Sequence, residues 1–519
     1  MSSAAQTLVA AGGSVAIAVA YGTGSQFHAL AIVGISFMGA VACAVHASAR
    51  EAADEARWWS LQCRRFELDP AGGFLPVPSP GEVELEEEFA PWERLGGRLA
   101  TLNASGTLRR YVAEHVPLVD AGKLLDIEPF PKRVAALRRA YVILGLAVHS
   151  YAYRADADWG GAVDGVDDDE SKAFDVDADD LARRPVIPKQ LAVPWVRVCR
   201  ELDLPDGAIA ACGTDLWNYK GPDAAAGPRF LTDAGRERDR AMKAAAEKQK
   251  RYGARQILTP RFLWGVFGFE DPRPADAPAP APGAVAPVDL VTSMTGTTTE
   301  ASFHLLATRM QARAARELPG LVRLPNDVAE KKAWHAQRTL RALAAMLGDF
   351  CAIFEEVHAS VDKAVFYDRY RPLLSGSWDA PLACEALDGS VFHVRSKGPS
   401  AGQSTIFLLL DIALGVARDD SEHGAFQRDM LAYMPPAHRA LVDDYADRFA
   451  AAGPLANLCR RGVLRRDRDA CVATLAKLRS FHLGVASDYL RRADKGTGAS
   501  DFRSMLRDGI ARTKGQKAA

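Results

Sequence analysis

Before Arg50 the chain carries no charged side chain, and nowhere do two of its cysteines stand in a C-x-x-C pair. The first absence removes the basic leader that a secretory signal needs. The second, with eight cysteines scattered as Cys43, Cys63, Cys199, Cys212, Cys351, Cys384, Cys459 and Cys471, excludes a zinc ribbon and a secreted disulfide scaffold. It points to a reducing, cytoplasmic compartment. An excess of one charge is also missing: 64 Lys and Arg against 65 Asp and Glu leave a net charge of −1, so nothing favours nucleic acid as a partner. No Walker loop, G-x-S-x-G elbow, H-E-x-x-H or Rossmann glycine pattern after a strand occurs, and none of the eleven histidines pair at i, i+4 as zinc ligands would. Nothing in the motifs therefore points to hydrolase or nucleotide-enzyme chemistry.

What is present is an ordinary globular composition, 48% hydrophobic and 25% charged, in a chain long enough for two or three domains. Residues 1–57 form an apolar extension in which the runs Leu8 to Tyr21 and Ala29 to Val45 flank a Gly-Thr-Gly-Ser break. The second run is at the short edge of what spans the ~30 Å hydrocarbon core, and Arg50, Arg57, Arg64 and Arg65 follow it. The extension is expected to be either a weak membrane anchor, with the remainder facing the cytoplasm, or a targeting segment. Residues 58–269 read as a smaller mixed α/β domain with a helical core around Val134 to Ser150. Residues 155–180 interrupt it; their carboxylates lack the spacing of a Ca²⁺ loop and read as a solvated insertion. Residues 270–288, EDPRPADAPAPAPGAVAPV, form an extended Pro/Ala linker.

Beyond it, residues 289–519 read as a large all-helical domain, which makes the chain mostly α. Glu300 to Leu318 is expected to stop at Pro319-Gly320, and Ala329 to Ala359 to be a long core helix carrying Trp334, Leu340, Leu343, Met346, Phe350 and Ile353. Ser404 to Val416 is apolar nearly all round and should be central, with Asp411 inside it needing a cationic partner, for which Arg479 is a candidate. Met434-Pro435-Pro436 opens another helix.

Three clusters in this region suit a cofactor pocket between helices. In CVATLAKLRSFHLGVASDYL, His482 interrupts the stripe Leu475, Leu478, Val485, Tyr489, and Lys495-Gly496-Thr497-Gly498 follows as a mobile loop. On the residues alone His482 is either a satisfied core histidine or a ligand. Phe366 and Tyr370 stand one turn apart with Arg371 beyond, an aromatic plane beside a guanidinium fork that suits a ligand with a ring and a carboxylate, or else a plain helix end. Lys397 to Ser404 is a Gly/Ser-rich loop ahead of the buried helix, fit for close approach to a flat ligand.

In order, YDRYRPLLSGS, GPSAGQSTIFLLLDIALG, YMPPAHRALV, LRSFHL and KGTGASDF resemble the indoleamine 2,3-dioxygenase family of haem enzymes. FELDPAGGFLP and IPKQLAVPWVRVCRELDLP extend the resemblance upstream, so that it covers Phe66 to Lys514 apart from the acidic insertion and the surroundings of the linker. It implies haem b between helices of the large domain, roofed by the smaller one, with His482 as proximal iron ligand. By the same resemblance Ser400 and Ala401 lie along the haem, Arg479 near its propionates and Phe303 on the distal wall. Phe366 would pack on the substrate indole, Arg371 clamp its carboxylate, and Thr497 sit in the loop that closes over it. The implied reaction inserts O₂ into the indole C2–C3 bond of L-tryptophan or another indoleamine to give N-formylkynurenine, in tryptophan catabolism, with an electron donor keeping the iron ferrous. Some positions depart from the family pattern: Ala307 stands where a distal serine is common, Pro399 where a glycine is, no tyrosine occupies the region of Ala211, and His304 lies beside Phe303. A haem-binding sensor or redox protein of this fold, and a membrane-associated helical interaction protein without haem, are the rival expectations.

Overall fold

The computed structural model describes residues 49–76, 83–153, 185–220, 289–377, 380–416, 421–459, 462–490 and 495–516, with positions 46, 79 and 493 besides. The apolar runs of the N-terminus, the acidic insertion and the Pro/Ala linker lie outside these residues, as do Arg491 and Arg492. Two compact units emerge, Met1–Arg64 with Asp233–Ala279 and Arg65–Thr232 with Pro280–Ala519. Of the first, the described part is a helical stretch over 49–64. Among the described residues no helix is long and apolar enough to cross a membrane.

The second unit is mostly α. In chain order its principal helices are α1 (Ala90–Ala104), α2 (Leu108–His115), α3 (Phe130–Tyr153), α4 (Lys189–Glu201), α5 (Thr298–Ala315), α6 (Leu318–Ala329), α7 (Ala333–Glu355), α8 (Thr405–Leu414), α9 (Glu422–Leu431), α10 (Pro436–Ala452), α11 (Gly462–Tyr489) and α12 (Phe502–Gly515). Helix α3, buried over most of its second half, packs on α1 and α4. Helix α11 runs along α7 on one side and α12 on the other. Helix α8 packs against α6 and α10, and its residues Leu408, Leu409 and Leu410 are fully shielded, as a stretch without a polar face requires.

The ends of these helices follow local chemistry. The Thr297 side chain accepts the Glu300 N–H to cap α5, Ser421 does the same for α9 through Gly424, and Asp501 caps α12 through Arg503 and Ser504. Gly415, at φ +80°, closes α8 in the left-handed conformation that a Cβ disfavours. Pro436 supplies the first turn of α10, as expected from the sequence.

Three expectations are corrected. Pro319-Gly320 does not stop a helix: α5 ends at Ala315, and Pro319 sits in the first turn of α6, where its missing N–H costs nothing. Trp334 is not core but 59% exposed, with the Arg338 guanidinium 5.4 Å over its ring, because it stands on the face of α7 away from the buried Ala336 and Leu340. The region after residue 289 is not wholly helical. Strands β3 (Leu382–Glu385) and β4 (Val391–Val394) form an antiparallel hairpin with Leu382 opposite Val394, turned at Gly389, φ +81°. The Asp388-Gly389 pair between alternating apolar residues is the turn signal for it. A second small pair, β1 (Tyr219–Lys220) with β2 (Asp289–Leu290), joins the chain on either side of residues 221–288.

Candidate functional site

Helix α11 carries His482 between the buried Leu478 and Val485, with Tyr489 one turn further on. Burial, reinforced by the positive charge of Arg479, holds the imidazole down to about 4 and therefore neutral at physiological pH. The Phe354 ring from α7 stands edge-on to it at 5.6 Å, and no hydrogen bond joins the His482 ring to another described residue. A neutral imidazole without a protein partner retains a lone pair for a metal. The helix itself is braced from below. Arg479 places one nitrogen 2.5 and 2.6 Å from the two carboxylate oxygens of Asp411, and its other terminal nitrogen donates to Thr513. Burial alone would raise the Asp411 carboxyl, but Arg479 and His423 outweigh it and hold it below the ordinary carboxylate value. Gln427 donates to the same carboxylate at 2.5 Å. Arg479 is thus committed to Asp411 and Thr513, on α8 and α12.

An aromatic wall is built from α5 and the π-helical turn Val365–Tyr370, and Tyr489 links it to α11. The Phe303 and Phe366 rings lie 4.8 Å apart, Tyr370 is 6.2 and 6.3 Å from them, and Tyr489 reaches Phe366 at 6.0 Å. Arg371 follows at once. Its guanidinium lies 5.6 Å from the Tyr367 ring and donates to the Lys495 carbonyl at 2.8 Å, while its buried Nε has no hydrogen-bond partner. Burial lowers its pKa, which marks a cation short of a counter-charge. Ala307 is half-buried beside Phe303 on α5 and offers no hydroxyl.

The two loops meet. The Thr497 hydroxyl donates to the Pro399 carbonyl at 2.5 Å and the Gly398 N–H to the Thr497 carbonyl at 3.0 Å. Ser400 caps the turn Ala401–Gln403 by accepting the Gly402 N–H, and Ala401 is exposed. A Cβ on Gly398 would stand 1.9 Å from the Leu374 carbonyl oxygen, so no side chain fits where this loop crosses the segment after Arg371. Phe303 with Phe366, and Ser400 with Thr497, are therefore brought together, and Arg371 reaches the second loop through Lys495. No ring contact or hydrogen bond joins His482 to Phe303, Phe366 or Arg371 among the described residues.

One constellation escaped the sequence reading. His304 Nδ1 lies 2.6 Å from Asp215 Oδ1, and its Nε2 bonds the Tyr370 hydroxyl. Thr214 donates to the same Asp215 oxygen at 2.9 Å, and Thr308 to the Asp215 carbonyl at 2.8 Å. The signal available was an unexplained histidine in the apolar ASFHLL, but its partners are 89 and 66 positions away, and no local pattern connects them.

The residues fit an iron porphyrin. Among the described residues no three His, Cys, Asp or Glu side chains gather into a metal centre, so a lone histidine can hold only a metal that brings most of its own ligands. His482 is neutral, uncommitted and flanked by an aromatic ring, which is the donor such a group needs.

Comparison with known proteins gives a family context. The family model for indoleamine 2,3-dioxygenase matches residues 62–236 and 273–516. The chain is similar to indoleamine 2,3-dioxygenase acdA of Aspergillus candidus, 24% identical over 85% of this chain and 94% of that protein. With indoleamine 2,3-dioxygenase 1 of Rattus norvegicus it shares 25% identity over 85% of this chain and 92% of the other. It is 27% identical to 6-hydroxytryptophan 2,3-dioxygenase fscD of Fusarium equiseti over 83% of this chain and 86% of that protein.

Proposed function

The chain belongs to the indoleamine 2,3-dioxygenase family, and from that premise we propose that it is a haem-dependent dioxygenase of L-tryptophan, giving N-formylkynurenine. The observation that carries the reading is the neutral imidazole of His482, half-buried on a braced helix and without a hydrogen-bond partner among the described residues. Haem b, when bound through His482, supplies the O₂-activating iron centre, kept ferrous by an electron donor. Everything else falls to the chain. Phe303 and Phe366 offer a flat apolar face for an indole ring. Arg371, with Nε unpaired and its charge uncompensated, binds the substrate carboxylate and fixes the ring against that face. Thr497, hydrogen-bonded to Pro399 beside Ser400 and Ala401, belongs to a strap that shuts water out of the site. Arg479, three residues before His482, acts on the iron ligand through its hold on Asp411. The reaction runs in the cytoplasm, where the buried thiols stay reduced.

The test is to load the protein with haem, record the Soret band, and assay formylkynurenine formation from tryptophan with a reductant present. The related 6-hydroxytryptophan dioxygenase makes 6-hydroxytryptophan the natural second substrate to try. A Soret band with product formation is expected. A Soret band without consumption of either indole would mean a haem-binding sensor or redox protein of this fold, a reading that Ala307 and Ala211, which bring no hydroxyl to the distal side, would favour.

A further inference from the structure

The Asp215–His304–Tyr370 chain has no role in the function proposed above, although the Tyr370 ring adjoins Phe303 and Phe366. It has the carboxylate–imidazole–hydroxyl order used elsewhere to activate a nucleophile. Here both side chains are enclosed, Tyr370 0% and His304 3% exposed, and they are taken up by one another and by Asp215. Tyr370 has its pKa raised well above the ordinary phenol value by burial, so its hydroxyl keeps its proton and donates to His304 Nε2. His304 then carries its own proton on Nδ1 and donates to Asp215. Every donor in the chain is satisfied, and its direction is fixed.

What the chain holds is more telling. Tyr370 ends the π-helical turn whose second residue is Phe366, and Arg371 is the next residue. Its ring also touches both Phe303 and Phe366. Short π-helical turns are rare and occur frequently at functional sites. On the other side of the same anchor, His304 follows Phe303 on α5, and Asp215 lies in the turn Cys212–Leu216 that packs on α5. A single polar chain thus ties together the segments that carry the ring-binding and the carboxylate-binding residues.

We infer that Asp215, His304 and Tyr370 are positioning residues for indole binding, a buried anchor that fixes Phe366 and Arg371 at once and so sets the affinity for the amino-acid substrate. This rests on the proposed function above. Its signature is a change in KM rather than kcat, because ring and carboxylate contacts are made in the ground state as well as in the transition state.

Steady-state kinetics for L-tryptophan on the haem-loaded full-length protein decide it, using wild type, Tyr370→Phe, Asp215→Asn and Tyr445→Phe. Tyr445 is the comparison: it is equally buried, its hydroxyl donates to the Leu321 carbonyl at 2.8 Å, and it belongs to no part of the aromatic wall. Tyr370→Phe and Asp215→Asn are expected to raise KM about tenfold or more, with kcat within about threefold. The tryptophan Kd read from the substrate-induced Soret shift should move with KM, and the double variant should do no more than either single one, since both cut the same chain. Tyr445→Phe should lower Tm without moving KM. Should Asp215→Asn fail to fold, the near-isosteric Tyr370→Phe decides alone. An unchanged KM in Tyr370→Phe, or an equal rise in Tyr445→Phe, overturns the inference while leaving the function standing. A wild type that shows the Soret band but consumes no indole overturns the function, and the inference with it.

Discussion

Arg371 and His438 show two ways in which a buried cationic side chain can be left wanting. Arg371 keeps its charge with one carbonyl partner and an idle Nε, so a carboxylate would complete it. Arg371→Ala should raise KM for tryptophan about 10- to 100-fold, the range of a lost charge-assisted hydrogen bond. Initial-rate measurements check this, and an unaltered KM would remove Arg371 from the substrate site. His438 gives up its charge instead: enclosed against the Phe74 ring, it is pushed by burial, and then by Arg138, down to about 3. In the unfolded chain it takes up a proton near 6.5, while the folded state refuses it until about 3. The folded state therefore binds fewer protons in that window, and stability falls as pH drops through it, by up to about 1.4 kcal/mol per pH unit. Urea denaturation of wild type and His438→Gln from pH 7 to 4 should show the steeper acid loss in wild type; parallel curves would refute it.

At the scale of elements, the ligand helix is held by an ion pair whose carboxylate is shut off from water and whose guanidinium is largely so. Asp411 is 0% exposed on α8, and it meets Arg479 of α11 with Gln427 of α9 alongside. Removing one partner strands a buried charge, so Asp411→Ala should cost about 3–5 kcal/mol in denaturant titrations, whereas Asp411→Leu with Arg479→Met should recover most of it. If the single variant were as stable as wild type, the brace would not bear on the helix. The sequence offered Arg479 only as a candidate partner, since a carboxylate inside TIFLLLDIALG needs a cation or a donor but nothing local says which. The hairpin of β3 and β4 was as legible in its Asp-Gly turn, but the surrounding helical periodicity masked a strand of four residues.

For the whole molecule, the consequence of the haem reading is thermodynamic. A group that binds only the folded chain stabilises it by mass action, about 2.7 kcal/mol at a hundred times Kd. Adding haem to the apoprotein should therefore raise Tm, and His482→Ala should abolish both the shift and the native Soret band. A Tm rise that survives the substitution would place the haem elsewhere. The family, the helical class and the order of the site motifs lay in the sequence alone, because helical period, capping and short loop motifs are local and need nothing beyond a few neighbouring residues. Only the tertiary structure could decide that His482 has no hydrogen-bond partner among the described residues, that Arg479 is bound to Asp411, that Trp334 faces water and that His304 joins Asp215 to Tyr370. Each of those depends on which distant side chain arrives at hydrogen-bonding distance, and chain folding, not spacing along the chain, sets that distance.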